Sequence, residues 1–136
     1  MISLEPGEEI QQSLAAFISQ KRLPSAFFQG IGTLCSVELG FFNVKKKEYE
    51  HHFFKDNYEL ITASGNISME DDVPIVHTHA LLSDNRCQTI GGHLFKGTVV
   101  VSVELFLFPV DIVLLRKNDK RFNFKALDLP HHFVKN

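Results

Sequence analysis

An alternating run lies at the centre of the chain, Ile75-Val76-His77-Thr78-His79-Ala80-Leu81-Leu82. Its apolar content and length predict a β-strand. Because side chains in a strand alternate, His77 and His79 should point to the same face, about 6.6–7 Å apart along the chain. Two imidazoles at that spacing can converge on one metal ion, since Zn–N bonds are about 2.0–2.1 Å.

A third histidine follows two glycines in Gly91-Gly92-His93. Glycines permit unusual dihedrals and close backbone approach, which would help to bring His93 beside the first two histidines. Three neutral imidazoles favour zinc or another late first-row ion and leave one coordination position open. That position can hold a water molecule whose pKa falls toward ~7, or a small ligand that undergoes no chemistry. In the alternative interpretation, each histidine is a hydrogen-bonded structural residue.

The pattern around this run predicts one helix followed by strands. Pro6 and Glu8-Glu9 suit the first turn of a helix, Pro24 ends it, and an apolar stripe recurs at helical spacing in Ile10, Leu14, Phe17 and Ile18. Strands are predicted at 26–42, 48–54, 58–67, 75–82, 98–108 and 111–116. Residues 117–136 form an extended arm or edge strand in this interpretation. The prediction is one α+β domain over residues 1–136, of mainly antiparallel strands with an N-terminal helix.

The composition is that of a globular domain, with 136 residues, 44% hydrophobic and 22% charged. Sixteen acidic and fourteen basic residues give a net charge of -2. This balance argues against a protein whose main attraction is to phosphate backbones, which requires clustered Lys and Arg. No stretch approaches the ~20 apolar residues of a membrane span.

Two cysteines, Cys35 and Cys87, allow at most one disulfide, and neither belongs to a CxxC motif. The first residues lack the basic start and the apolar core of a signal peptide. We therefore expect a cytoplasmic protein with reduced thiols. A nucleophilic role for either cysteine is disfavoured because neither has a sequence-adjacent base.

Several stretches together resemble a known family. They are Gly30-Ile31-Gly32, the strand 37–42, Ser64-Gly65-Asn66-Ile67-Ser68, the run from Pro74 to Asp84, Gly91-Gly92-His93-Leu94, and the strand 99–105. The chain resembles the PPC domain (plants and prokaryotes conserved), also called PD1-like or DUF296. The resemblance extends from the first helix to about Pro109 and is poor over 117–136. The combination of HxH and GGHL is specific.

The resemblance implies a homotrimer in which three histidines near a protomer boundary hold zinc. Carried over to this chain, these ligands are His77, His79 and His93. The wider fold group is similar to that of acetolactate decarboxylase, a metalloenzyme with a three-histidine zinc site. Because fold alone does not determine chemistry, this similarity does not establish an enzymatic activity for the chain.

Plant members of the family bind AT-rich DNA through AT-hooks, which have an Arg-Gly-Arg core. This chain contains no Arg-Gly-Arg, and its four arginines are scattered. Lys45-Lys46-Lys47 could contact phosphate but is typical of a solvated hairpin tip. A DNA-associated role therefore rests on the family comparison and gains no support from these residues.

Two further polar residues are candidates for the site. Glu104 lies in an apolar strand and, by alternation, shares a face with Thr98, Val100 and Ser102. It could act as a general acid or base or orient a ligand histidine, or it could pair with a basic residue across a trimer contact. Asn66 could line the same cavity or satisfy a turn.

Other motifs are not expected to form sites. Adjacent histidines in a strand face opposite ways, so neither His51-His52 nor His131-His132 is a natural chelator. Gly30-Ile31-Gly32 is not followed by a helix with a further glycine, so no dinucleotide cofactor is expected.

Three functions remain open from the sequence. The first is a trimeric, metal-binding domain, with zinc as the expected metal, that binds a small polar or anionic ligand. The second is a DNA-associated regulatory protein. The third is a zinc-dependent lyase or hydrolase that uses Glu104. Catalysis ranks below binding, because the sequence offers no second strong acid or base.

Overall fold

A computed structural model describes residues 1–129 of the chain. Within that range the chain forms one helix and eight strands. They are β1 (Ile2–Leu4), α1 (Ile10–Lys21), β2 (Ser25–Asn43), β3 (Glu48–Glu70), β4 (Val73–Ser83), β5 (Thr89–Leu94), β6 (Val99–Val110), β7 (Arg116–Asp119) and β8 (Phe124–Leu127).

Six strands form one antiparallel sheet in the order β1-β6-β2-β3-β4-β5. The edge strand β5 also pairs with the far end of β2, where Leu39 opposes Leu94 and Gly40 opposes His93. The strands β2, β3, β4 and β5 are therefore paired in a closed ring. Register shifts in β2, between Gly30 and Gly32 and between Cys35 and Val37, are bulges of the kind that bend a strand.

The helix α1 begins later than the sequence predicts. Pro6 precedes it, and Glu9 caps its N-terminus by accepting hydrogen bonds from the backbone N–H groups of Gln11 and Gln12 at 3.1 and 2.7 Å. The predicted apolar stripe is confirmed, because Ile10, Leu14 and Ile18 are fully buried. At 12 residues, this one helix of the described range is too short to cross a membrane.

Three of the predicted strands differ in the structure. The predicted strands at 48–54 and 58–67 belong to the single strand β3. The predicted strand at 111–116 is wrong, since regular pairing begins only at Arg116. The apolar residue Leu114 is buried there, and its backbone N–H donates to the Ser25 hydroxyl at 2.8 Å. The backbone N–H of Leu114 is thus satisfied by a tertiary hydrogen bond and not by pairing with a neighbouring strand.

The sheet has one face toward the core and one open face. On β4 the side chains of Thr78, Ala80 and Leu82 are buried in the core, whereas His77 and His79 alternate onto the opposite face. Farther across the sheet, on β2 and β6, the open face carries the exposed aromatic residues Phe27, Phe106 and Phe108. The histidines therefore lie on the face that the helix leaves uncovered.

The predicted fold class is confirmed at the level of a compact domain of mostly antiparallel strands with one short helix. The similarity to the acetolactate decarboxylase group stays a prediction. Residues 117–129 lie largely in the β7–β8 hairpin rather than in a single edge strand. The predicted pair His131-His132 lies outside the described residues.

Candidate metal centre

The two neighbouring strands β4 and β5 carry the three predicted histidines. His79 on β4 directly opposes His93 on β5, and His77 lies two residues before His79 on the same face. Cross-strand partners in an antiparallel pair have Cβ atoms about 4.5–5.5 Å apart. Register and alternation together thus bring three imidazoles to one place.

The three rings form a compact triangle. Their centroids are separated by 5.1 Å for His77–His79, 5.0 Å for His77–His93 and 5.5 Å for His79–His93. One nitrogen of each ring lies within 4.8 Å of the corresponding atoms of the other two. Tetrahedral zinc with Zn–N bonds of about 2.05 Å requires nitrogens about 3.3 Å apart. Small ring rotations therefore suffice to bring all three nitrogens onto one ion.

Two glycines allow the strands to approach this closely. A Cβ on Gly92 would lie 2.7 Å from the carbonyl oxygen of Gly40, at the point where β5 meets β2. A Cβ on Gly65 would lie 2.0 Å from the carbonyl oxygen of His77. The two glycines before His93 have no positive φ, so close approach rather than an unusual dihedral is the property that β5 uses.

The environment keeps two of the imidazoles neutral. Burial lowers the pKa of His77 from 6.5 to about 4, with further lowering by the Arg116 and His79 charges. Burial also lowers the pKa of His93 from 6.5 to about 4, assisted first by the two other histidines and then by Arg116. Metal ligation requires the neutral ring, so both residues are in the binding-competent form at pH 7.

An orphaned ring nitrogen indicates that these residues fit a metal. The Nδ1 atom of His93 is buried and has no hydrogen-bond partner among the described residues. A buried polar atom without a partner is rare and calls for an explanation such as an ion. A donor set made only of imidazoles suits zinc, copper, nickel or iron rather than calcium or magnesium.

A cavity of about 640 Å³ opens beside the histidines. Its walls combine the three rings with side chains from the β2–β3 hairpin and from the C-terminal hairpin, among them Phe42, Tyr49, Arg116, Phe124 and Leu127. The Tyr49 ring lies 4.9 Å from the His93 ring, and Phe42 contacts Phe124 edge to face at 5.2 Å. None of these five residues is predicted from the sequence as part of the site. Phe42 and Tyr49 are cross-strand partners, so the hairpin pattern of the sequence could have placed them side by side. No pattern in the sequence around Arg116 indicates its position.

Glu104 is not where the sequence predicts it to be relative to its neighbours. A register shift between Thr33 and Leu34 of β2 inserts an extra residue in β6 opposite them, so Thr98 and Val100 are buried whereas Ser102 and Glu104 are exposed. Within one chain, Glu104 lines a separate surface groove with Glu59 and not the histidine cavity. Its expected place on the face of Thr98 and Val100 is therefore wrong.

Asn66 does line the histidine cavity. It lies inside β3, directly opposite His77, and its side-chain oxygen accepts a hydrogen bond from Arg116 at 2.8 Å. The alternative role in a turn is excluded, because β3 continues through this position.

The remaining sequence candidates lie apart from the triangle. Lys45, Lys46 and Lys47 are exposed in the turn between β2 and β3. His51 and His52 are exposed, and His51 pairs with Glu38 at 2.5 Å and stacks on Phe95. Both cysteines are free thiols.

Comparison with known sequences identifies the family. The family model of the Plants and Prokaryotes Conserved (PCC) domain matches residues 1–111. The chain belongs to this family. The PCC match includes all three histidines and ends before the β7–β8 hairpin, so Arg116 lies outside it.

Solved structures share the PCC fold. A plant- and prokaryote-conserved protein of Pyrococcus horikoshii is 32% identical, with a TM-score of 0.86 over 95% of this chain and 90% of that chain. A metal-containing protein of Archaeoglobus fulgidus is 29% identical, with a TM-score of 0.85 over 93% and 89% of the two chains. A protein of Ralstonia eutropha, named for a proposed DNA-binding role, is 27% identical, with a TM-score of 0.85 over 95% and 90%.

A curated relative is much longer than this PCC chain. The bifunctional protein GlmU of a Synechococcus strain is 26% identical over 123 residues, which are 90% of this chain. The matched segment spans only 17% of that relative.

Proposed function

We propose that this PCC-domain protein holds a zinc ion through His77, His79 and His93 and binds a small polar or anionic ligand at the ion's open position. The observation that carries the proposal is the triangle of three imidazoles whose candidate ligand atoms lie within 4.8 Å of one another. The metal-containing relative from Archaeoglobus fulgidus supports it.

Zinc would supply a Lewis acid and an open coordination position in a half-buried cavity. The protein side of the cavity supplies partly apolar walls and the polar side chains of Tyr49, Arg116 and Lys125. Within one chain no carboxylate lines the described cavity. This favours ligand recognition over a lyase or hydrolase reaction, for which Glu104 was the acid/base candidate.

We also propose that the chain forms a homotrimer through the open face of the sheet. Phe108, Phe27, Asn66 and His77 follow one another across four adjacent strands in direct register. Phe27 is 49% and Phe108 is 57% exposed in the single chain. Large apolar side chains contiguous on one face are typical of an interaction surface. A copy packed there would lie beside the metal centre.

Metal content tests the zinc proposal. Purified wild-type protein should contain one zinc per chain by plasma mass spectrometry, and His79→Ala should reduce this content severalfold. His52→Ala is the matched control, because His52 is also an exposed strand histidine but lies outside the triangle. Full zinc retention in the double variant His77→Ala/His79→Ala would overturn the proposal.

DNA association is the second candidate, favoured by the name of the Ralstonia eutropha relative. On this chain the exposed basic run is 45–47, where Lys46 pairs with Glu50 at 3.4 Å. Binding to phosphates would weaken steeply with salt. A mobility shift on AT-rich duplex at ~50 mM salt, lost in the triple variant with alanine at 45–47, would support this function, and no shift would dismiss it.

A further inference from the structure

The C-terminal hairpin is anchored beside the metal centre by buried and backbone contacts. Leu114, just before β7, is buried, and its carbonyl accepts from the backbone N–H of Met69 at 2.7 Å. Leu115 forms a parallel bridge with Met69. On β8, the Phe124 ring packs on Phe42. The hairpin is thus docked on β2 and β3, where it completes the cavity beside the histidines.

The hairpin brings one guanidinium to this cavity. Arg116 donates from Nε to the Ser68 hydroxyl at 2.7 Å, from Nη2 to Asn66 Oδ1 at 2.8 Å and from Nη1 to the Lys125 carbonyl at 2.9 Å. All three acceptors are uncharged. In the described part of the chain no carboxylate forms an ion pair with Arg116, and the nearby Glu70 is paired with Lys125.

The guanidinium therefore retains both charge and hydrogen-bonding capacity. It has five N–H donors, of which three are engaged by described residues, so two remain. Its partner Asn66 is the cross-strand neighbour of His77. Arg116 and the three histidines line the same cavity. A half-buried guanidinium that forms no direct ion pair among the described residues can bind an anion.

The rest of the cavity is largely apolar. Phe42, Val76, Phe124 and Leu127 line it together with Tyr49. Two remaining N–H donors match the two oxygens of a planar carboxylate, and the aromatic walls match an apolar body. The other polar side chains of the wall include Tyr49 and Lys125, and the Lys125 ammonium is paired with Glu70. The two remaining donors of Arg116 and the apolar walls thus suit one carboxylate on an apolar body.

We infer that Arg116 and the three-histidine metal centre form one binding site for a carboxylate monoanion with an apolar body. This inference rests on the proposed function and adds the chemical class of the ligand. Arg116 lies beyond the 1–111 family match, so the specificity comes from a segment outside the matched domain.

Benzoate binding to zinc-loaded protein, measured by calorimetry, tests the inference. Wild-type protein should bind benzoate at least roughly tenfold more tightly than Arg116→Gln, because a charge-assisted hydrogen bond is lost. Benzamide, which lacks the charge, and acetate, which lacks the ring, should both bind more weakly than benzoate to wild-type protein. Removal of zinc with a chelator should also weaken benzoate binding.

Matched variants separate Arg116 from a general effect on folding. Arg86→Gln removes an exposed arginine in the β4–β5 loop and should leave benzoate affinity unchanged. Arg116→Lys retains the charge without the planar fork and should give an intermediate affinity. Thermal unfolding of each variant shows that it is folded.

The outcomes distinguish this inference from the proposed function. Zinc bound stoichiometrically in both proteins, with equal benzoate affinity in wild type and Arg116→Gln, overturns the inference and leaves the metal proposal standing. Inorganic phosphate bound more tightly than benzoate overturns the ligand class. A wild-type protein that holds no zinc overturns the proposed function and this inference with it.

Discussion

His93 combines three properties at the residue scale. Its ring contacts those of His77 and Tyr49, its Nδ1 has no partner among residues 1–129, and its backbone opposes Gly40. In a purely structural histidine, the buried ring nitrogens would form hydrogen bonds with other protein groups. The orphaned nitrogen therefore favours a ligand role over a purely structural one.

The neutral histidines predict a pH-dependent stability for the metal-free protein. The folded pKa of His77 and of His93 lies at about 4, below the ordinary 6.5. Between these values the unfolded chain binds more protons, so the free energy of unfolding should fall as the pH falls from ~6.5 toward ~4. Urea unfolding of chelator-treated protein at several pH values measures this slope.

A variant identifies the source of that slope. His77→Gln/His93→Gln removes both titrating groups, and the unfolding free energy should then vary less over the same interval. The variant His52→Gln, at an exposed strand histidine outside the triangle, is the control for replacing a histidine as such. An identical slope in wild type and in the double variant would contradict the assignment of these pKa values.

At the element scale, the contact between β5 and β2 determines whether the third histidine reaches the first two. Gly92→Ala would place a Cβ 2.7 Å from the Gly40 carbonyl oxygen, so the strands must separate. We expect a loss of about 1–3 kcal/mol in unfolding free energy together with weaker zinc binding in a competition assay with a chromogenic chelator.

The neighbouring glycine provides the comparison. A Cβ on Gly91 would lie 3.0 Å from the Ala80 carbonyl oxygen, a smaller clash than at Gly92. Gly91→Ala should therefore reduce zinc affinity less than Gly92→Ala. An equal or larger effect at Gly91 would show that close approach to β2 is not what positions His93.

The sequence predicted those parts of the site that depend on local periodicity. Alternation placed His77 and His79 on one face, and the helical stripe of α1 is buried as expected. It did not predict β5 as a strand, because two successive glycines weaken the strand pattern before His93. It misplaced Glu104, because the bulge in the β2–β6 pairing reverses the alternation.

Arg116 was missed for a different physical reason. Its side chain is held by Ser68 and Asn66, residues about fifty positions earlier in the chain. The sequence around Arg116 does not indicate these partners, because the β7–β8 hairpin is positioned by tertiary contacts such as that of Leu114 with Ser25. Contacts between segments far apart in the chain leave no periodic pattern in the sequence.

At the scale of the whole molecule, the proposed homotrimer can be tested through the open face of the sheet. Phe106 and Phe108 are 49% and 57% exposed in the single chain. If copies pack there, sedimentation velocity should give three times the 15.5 kDa chain mass. Phe106→Glu/Phe108→Glu should shift the protein toward the monomer, because buried carboxylates without partners are unfavourable.

A substitution elsewhere separates this effect from general loss of solubility. Val44 is 61% exposed in the β2–β3 turn and away from Phe106 and Phe108 in the sheet. Val44→Glu should leave the sedimentation coefficient at the wild-type value. A wild-type protein that sediments as a monomer at micromolar concentration would rule out the trimer.

X-ray absorption at the zinc edge of the purified wild-type protein tests the metal centre most directly. It should show three imidazole nitrogens at about 2.0–2.1 Å with one further light-atom ligand. That pattern should disappear in His77→Ala/His79→Ala and persist in His52→Ala. A zinc spectrum without imidazole scattering, or one unchanged by the double substitution, would contradict the assignment of His77, His79 and His93 as the metal ligands.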